Sequence, residues 1–495
     1  MTDKEMESKT GSAGRTGSSH YGLALAVVVC GVLIAAVDTT IVILALPKLE
    51  KALHIGVTNV IWVIISYLLV ITILATQVGR LGDMFGRVRM YQLGFLVFVV
   101  GSLLCGLAAN DVSMVVFRVI QGVGGALISA NSGAVIADIV PEAERGRAYG
   151  FNAIGWNLGA ILGILLGGVI TTVSSWRWIF LINVPIGLVA LALSLKVLHD
   201  GGSRRDHRID WGGTLTLGAG LFCLLWAATR LATSSFDGVV DGFLIAGVLS
   251  LGAFVLIEWR VAEPMVDLNL FRIPSMSPSL GSAFLQGLAN FSVLFLVIMY
   301  LQGVRGLTPL NASLLLVPGY IVGACVGPIG GRLSDRIGPA WPATVGLLIQ
   351  AVALVVYAQL GVSTSLFLVV IASCISGIGS GAFFPANNAS VMRAAPGKSF
   401  GIASGMLRTF ANVGMVCSFA LSVVIAAHAI PRGLAFAIFV GSVSLKPDLA
   451  VAFTSGIHAA FIVSIVLVLL GALLSGIRLR TGGGQALTAT STSSG

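Results

Sequence analysis

Apolar runs long enough to cross a membrane recur fourteen times between residues 23 and 476, with short polar breaks between them. A helix needs about 17–25 such residues to cross a bilayer, where every backbone hydrogen bond must close within the span. The runs therefore predict an all-α polytopic membrane protein. Only 10% of the 495 residues are charged and 56% are hydrophobic, whereas soluble domains carry about 25% charged residues. The 62 glycines lie largely inside the apolar runs, where they let helices approach closely in lipid.

A net charge of +9 would suit a nucleic-acid partner in a soluble chain. Among spans, basic residues instead mark cytoplasmic loops, so no nucleic-acid partner is expected. Arg80, Arg87, Arg89, Arg145, Arg147, Arg204, Arg205, Arg208, Arg332, Arg336 and Arg393 all fall on one side. The bias places both termini in the cytoplasm. Residues 1–20 and 479–495 read as disordered cytoplasmic tails. The first run, residues 23–46, is long enough to span and stay. All six cysteines fall in apolar runs, and no Cys-x-x-Cys occurs; free thiols are expected.

A charged hinge organises the spans. Residues 79–90 read Gly-Arg-Leu-Gly-Asp-Met-Phe-Gly-Arg-Val-Arg-Met, and the skeleton returns at 331–338 as Gly-Arg-Leu-Ser-Asp-Arg-Ile-Gly. The copies follow the second and tenth runs. This predicts two parallel six-helix repeats, residues 21–200 and 277–478, with a two-helix insert at 201–276. Residues 122–126 and 377–382 echo the same relation. Residues 427–455 form the sizeable external loop, with an apolar stretch at 436–443 that suits a short hairpin or re-entrant element.

Several motifs, in order and spacing, resemble the major facilitator superfamily, and within it the fourteen-span drug/proton antiporter branch. The hinge at 79–89 looks like the loop signature between spans two and three. Arg118 with Gln121, Gly122 and Gly124 looks like the fourth-span signature. Asp38-Thr39-Thr40-Ile41-Val42 followed by Ala45-Leu46-Pro47 resembles the first-span signature of drug exporters. Gly159, Gly163, Gly167 and Gly168 match the span-five antiporter signature, with Ile164 where that family usually has proline. Trp176 to Pro185, Asp210-Trp211-Gly212-Gly213 and Pro264 to Phe271 are similar to further fourteen-span hallmarks. The resemblance implies proton-coupled efflux of small amphipathic compounds by alternating access, in a prokaryotic plasma membrane. Alternatives are a facilitator or exporter of an endogenous metabolite, lipid or siderophore without tight proton coupling, and a non-transporting receptor or scaffold.

The residues carry their own chemistry. Asp38 lies mid-span, where an acid is costly and marks a functional group by default; protonation would erase its charge, which suits proton coupling. The structural reading is a partner for an arginine or a helix end. Arg118 keeps its proton and is either a fixed counter-charge for Asp38 or a structural donor. Gln121 lies one turn on. Gly79, Asp83, Gly86 and Arg87 read as a cytoplasmic gate in which Asp83 binds Arg145 or Arg147 or caps a helix; Asp335 and Arg336 are their counterparts. Simple topogenic charge is the alternative.

Gly155, Gly159, Gly163 and Gly167 form a smooth helix face, for packing or for rocking of the halves. Asn157, Gln286, Asn290, Asn387, Asn388 and Asn412 are substrate-cavity candidates, with Trp62, Tyr67, Phe284, Phe291 and Phe384 as apolar walls; interhelical hydrogen bonding is the alternative for each. His458 reads as structural. Spans nine to fourteen contain no Asp or Glu, which favours a monocationic, neutral or anionic substrate and one proton per cycle. No Walker-type loop, metal-ligand cluster or nucleophile–base set is present. The expectation is a monomeric non-enzyme in a lipid bilayer, with no cofactor or metal and protons as the coupling ion.

Overall fold

The computed structural model describes residues 3–55, 57–141, 145–200, 208–231, 237–395, 400–428 and 447–491. The order of helices follows the apolar runs. Helix α1 (Asp3–Ile41) is followed by a 3-10 turn and the short α2 (Leu46–Leu53). Then come α3 (Val57–Phe85), α4 (Arg87–Leu107), α5 (Asp111–Ile139) and α6 (Arg145–Val173). The short α7 (Trp178–Leu181) leads into α8 (Asn183–Val197), and α9 (Trp211–Leu231) and α10 (Gly238–Glu258) form the insert. The second half holds α11 (Met276–Met299), α12 (Pro309–Ile337), α13 (Ala340–Tyr357), α14 (Phe367–Ala394), α15 (Phe400–His428) and α16 (Pro447–Ser491).

Among the described residues, thirteen helices are long and apolar enough to cross a membrane. The 29-residue α15, which corresponds to the thirteenth apolar run, stands outside that thirteen. Helix α1 extends back to Asp3 and α16 on to Ser491, where the sequence predicts disordered tails. Neither extension contains a proline, and a nucleated helix propagates at one hydrogen bond per residue fixed. Most of the predicted external loop, residues 429–446, lies outside the described residues, so the hairpin expected at 436–443 does too.

Local chemistry sets the boundaries. Asn110 caps α5 through a capping box: its side chain accepts from Ser113 N at 2.8 Å while Ser113 Oγ accepts from Asn110 N at 3.2 Å. Thr308 caps α12, and Pro309 takes the first helical position, where a missing N–H costs nothing. Gly86 ends α3 with φ +110° and Gly338 ends α12 with φ +87°, conformations that favour glycine. The two hinges thus turn the chain the same way.

The halves pack alike. In the first, α1 lies on α6, α3 and α4 lie on α5, and α4 lies on α8; in the second, α11 lies on α15, α12 and α13 on α14, and α13 on α16. Among the described residues, the main contacts between the halves are α6 with α12 and α3 with α15. These exchange under the repeat, since α3 corresponds to α12 and α6 to α15. The insert attaches through α9, which packs on α3 and α15, while α10 lies against α9. Burial follows: 83% of the α1 apolar window is buried within the protein but only 17% of α10's. Helix α1 is therefore central, and α10 faces outward.

Candidate functional site

Helix α1 carries Asp38, and four other helices supply its surroundings. Arg118 on α5 donates from Nη1 to Asp38 Oδ2 at 2.6 Å and to Gln121 Oε1 at 2.7 Å, and from Nε to Val63 O on α3 at 2.8 Å. Gln121 Nε2 donates to Asp38 Oδ1 at 2.8 Å and to Ser102 Oγ on α4 at 2.8 Å. Asn183, the first residue of α8, adds a bond to Asp38 Oδ1 at 3.1 Å. Arg118 and Asp38 have side chains 1% and 0% exposed. The guanidinium lies 4.2 Å from the Tyr67 ring centroid and 5.7 Å from that of Phe180. Removing two charges from solvent is costly unless their remaining bonds are met, and here both carboxylate oxygens have donors.

Asp38, Arg118 and Gln121 are thus brought together as the sequence suggests. Asn183 and Ser102 were missed as site members. Asn183 falls in a stretch that marks the family resemblance, and a polar residue opening a helix in an apolar region was the available signal. Tyr67, read as a wall, faces the arginine.

The second half holds an uncharged version. The hinges lie 252 residues apart (331 minus 79), and the same offset carries Asp38 onto Asn290 on α11. Asn290 Nδ2 donates to the Oε1 of Gln350 on α13, and Gln286 Nε2 makes a long contact at 3.5 Å to the same oxygen. Gln350 is fully buried and its Nε2 has no partner among the described residues. Sequence reading named Gln286 and Asn290 but missed Gln350.

The other cavity candidates scatter. Asn387 is buried at the end of α14, where its Oδ1 accepts from Arg478 Nη1 at 3.0 Å and its Nδ2 donates to Ser279 O at 3.1 Å. Arg478 also donates to Ser279 Oγ at 2.8 Å, so Asn387 braces a buried arginine. Asn157 and Asn388 are exposed, and Asn412 is half-buried on α15. Trp62 lies 5.3 Å from the Phe222 ring on α9, placing it at the insert. Phe384 is exposed, Phe284 is half-buried, and the Phe291 side chain lies outside the described residues. His458 bonds Leu360 O at 2.7 Å.

At the hinge, the described residues give Asp83 a partner on the next helix. Asp83 accepts from Arg87 Nε at 2.7 Å, and Arg87 Nη1 continues to Asp138 on α5 at 2.7 Å. The side chains of Arg145 and Arg147 lie outside the described residues, and with them the expected bond to Asp83. The carboxylate capping α4 is Asp200, which accepts from Val88 N at 2.9 Å and lies 3.5 Å from Arg89. An anion at a helix N-terminus meets unpaired N–H groups and the positive end of the dipole. Gly79 is half-buried. In the second half, Asp335 pairs with Arg393 at 2.9 Å, joining α12 to α14 as Arg87 and Asp138 join α4 to α5. Arg336 is exposed.

The glycine face of α6 lies against α1. Cβ atoms at Gly155, Gly159, Gly163 and Gly167 would meet Val29, Leu33, Thr40 with Val37, and Ile41 on α1. In this structure the face packs α6 closely on α1 within one half. Only Gly168 crosses over, since its Cβ would come 2.6 Å from Ser313 Oγ and 3.0 Å from Leu310 Cα on α12. Across the α3–α15 joint, Thr76 Oγ1 and Thr409 Oγ1 are 3.3 Å apart, and beside it Arg408 on α15 donates from Nη1 to Ser129 O on α5 at 2.6 Å. All six cysteines are free.

This layout has known counterparts. The Major Facilitator Superfamily model matches residues 28–418 and 279–490, and the chain belongs to that family of membrane transporters. It is 31% identical over 397 residues to the tetracenomycin C resistance and export protein of Streptomyces glaucescens, covering 79% of this chain and 73% of that one. It is 28% identical to the riboflavin transporter RibZ of Clostridioides difficile, over 81% and 86% of the two chains. A crystal structure of a bacterial homologue of the human lysosomal transporter Spinster, inward-facing and unoccupied, superposes with a TM-score of 0.63. That match covers 93% and 97% of the two chains at 18% identity, so it speaks for the fold alone.

Proposed function

We propose that the chain is a fourteen-span drug/proton antiporter, α15 being the remaining span, and that it exports small amphipathic compounds as protons enter. The observation that carries this reading is Asp38, buried mid-span with Arg118 at 2.6 Å. An ionised Asp38 satisfies Arg118, Gln121 and Asn183 together. A proton on Asp38 cancels its charge and leaves Arg118 seeking another acceptor, so protonation shifts the balance between packings of α1, α5 and α8. Arg118 stays charged throughout. The protein works by alternating access as a monomer in a prokaryotic plasma membrane, both termini cytoplasmic. Substrate binds between the halves; within the second half, Gln286, Asn290 and Gln350 gather amides without charge. The likeness to the tetracenomycin C resistance and export protein, and to a multidrug resistance protein of Mycobacterium tuberculosis, supports efflux.

A second reading, transport of an endogenous metabolite, is favoured by the likeness to a riboflavin transporter. Purified protein in liposomes carrying an internal pH dye separates the two. Substrate-dependent proton movement that disappears in Asp38→Asn supports antiport. Transport that ignores the gradient and survives Asp38→Asn sinks it.

A further inference from the structure

The insert brings two acids together beneath the first hinge. Asp210 caps α9: Oδ1 accepts from Gly213 N at 2.7 Å, and its carbonyl accepts from Thr214 Oγ1 at 2.6 Å and from Gln77 Nε2 on α3 at 3.3 Å. Glu258 closes α10, and its Oε2 accepts from Val266 N at 3.0 Å. The other oxygens, Asp210 Oδ2 and Glu258 Oε1, have no hydrogen-bond partner among the described residues. Both lie under 3.0 Å from the single point where a Cβ on Gly213 would stand. The glycine leaves the gap in which they face each other. Asp210 is 5% exposed and Glu258 3%, so water does not readily supply the missing donors.

Two buried acceptors pointed at one another satisfy neither. Two adjacent carboxylates cannot both ionise cheaply, and one proton between them answers both difficulties. We propose that Asp210 and Glu258 share one exchangeable proton and form a second protonation site, separate from Asp38.

The charges around the pair fit a latch. From α3, Arg80 donates to Arg208 O at 3.1 Å, Glu263 O at 2.8 Å and Pro264 O at 2.6 Å. It thereby grips the chain before α9 and after α10. Glu263 contributes a further acid from the loop after α10, accepting from Arg208 N at 3.1 Å. From α9 the neighbours are Gly213 and Thr214, both uncharged, and from α15 Arg408 is bonded to Ser129 O on α5. Arg80 thus faces all three acids, Glu263, Asp210 and Glu258, while Arg208 and Arg260 nearby in the chain are exposed. With the proton in place, the pair carries one negative charge beside Arg80. Without it, two like charges push the start of α9 from the end of α10 and loosen the insert from α3 and α15. Losing the shared proton loosens the joint, so its stability falls as pH rises through the point of release.

Infrared spectroscopy of the protein in lipid nanodiscs tests this without reference to transport. In an Asp38→Asn background, one protonated-carboxyl C=O band should persist at neutral pH and vanish on alkaline titration. Glu258→Gln and Asp210→Asn should each abolish that same band, because one proton is shared, while Glu263→Gln should leave it. The thermal midpoint of the Asp38→Asn protein should fall as the band disappears, a step that Glu258→Gln removes. Absence of the band at neutral pH in the Asp38→Asn protein, a readout needing no change at the pair, would overturn the proposal. So would its survival in both single variants.

Discussion

Arg118 and Asp38, 80 positions apart in the chain, meet at 2.6 Å in a site where neither side chain reaches solvent. Gln121 joins them by bonding both, with its oxygen toward Arg118 and its nitrogen toward Asp38. The pair fixes α1 against α5 in the interior of the protein, inside a membrane-spanning run.

Removing one partner should therefore cost far more than removing both. Arg118→Leu is expected to lose about 3–5 kcal/mol, because Asp38 is left buried and uncompensated. Arg118→Lys should not restore it, since one ammonium cannot reach Val63 O, Asp38 and Gln121 as the guanidinium does. Asp38→Leu combined with Arg118→Leu should recover much of the loss. Thermal midpoints in detergent, compared across the set, decide the matter; additive losses would contradict the pairing.

The glycines of α6 give a sharper contrast. A Cβ at Gly159 would come 2.5 Å from Leu33 O and 2.7 Å from Ala36 Cβ, whereas one at Gly150 meets nothing within 4 Å. Gly159→Val should lose at least about 1–3 kcal/mol through overpacking, and Gly150→Ala should be close to neutral. Folded yield by size-exclusion chromatography would report the difference.

Gly86 and Gly338 share a positive φ but not surroundings. A Cβ on Gly86 would strike the Asp200 carboxylate, while Gly338 has open space. Gly338→Ala should show only the backbone strain, about 1–3 kcal/mol. Gly86→Ala should exceed it, because Asp200 must also leave the N-terminus of α4. Equal losses in denaturation would show that Asp200 contributes little there.

If the protein works by the proposed alternating access, the halves part where Thr76 meets Thr409. Cysteines at both positions should form a disulfide under mild oxidation and stop transport, with recovery on reduction. Uninterrupted transport by the cross-linked protein would mean that this joint stays closed through the cycle.

Much of the architecture was legible in the chain. Run length marks where helices lie, and the paired hinges mark two halves with α9 and α10 between them. The site was legible in part. Asp38, Arg118 and Gln121 stand out because charged and amide groups in apolar runs demand partners. Asn183 and Gln350 did not, since an isolated amide looks the same whether it bonds a carboxylate or a neighbouring backbone.

By itself, then, the sequence determined the apolar runs, their pairing into repeats and the residues that could not be buried alone. These depend on local hydropathy and on a duplicated motif. Only the tertiary structure decided partners: Asp83 with Arg87, Asp200 at the start of α4, the α6 glycines against α1, and Asp210 facing Glu258. Such choices depend on the rotation and crossing of packed helices, and a hydropathy pattern of uniformly apolar spans does not encode that rotation.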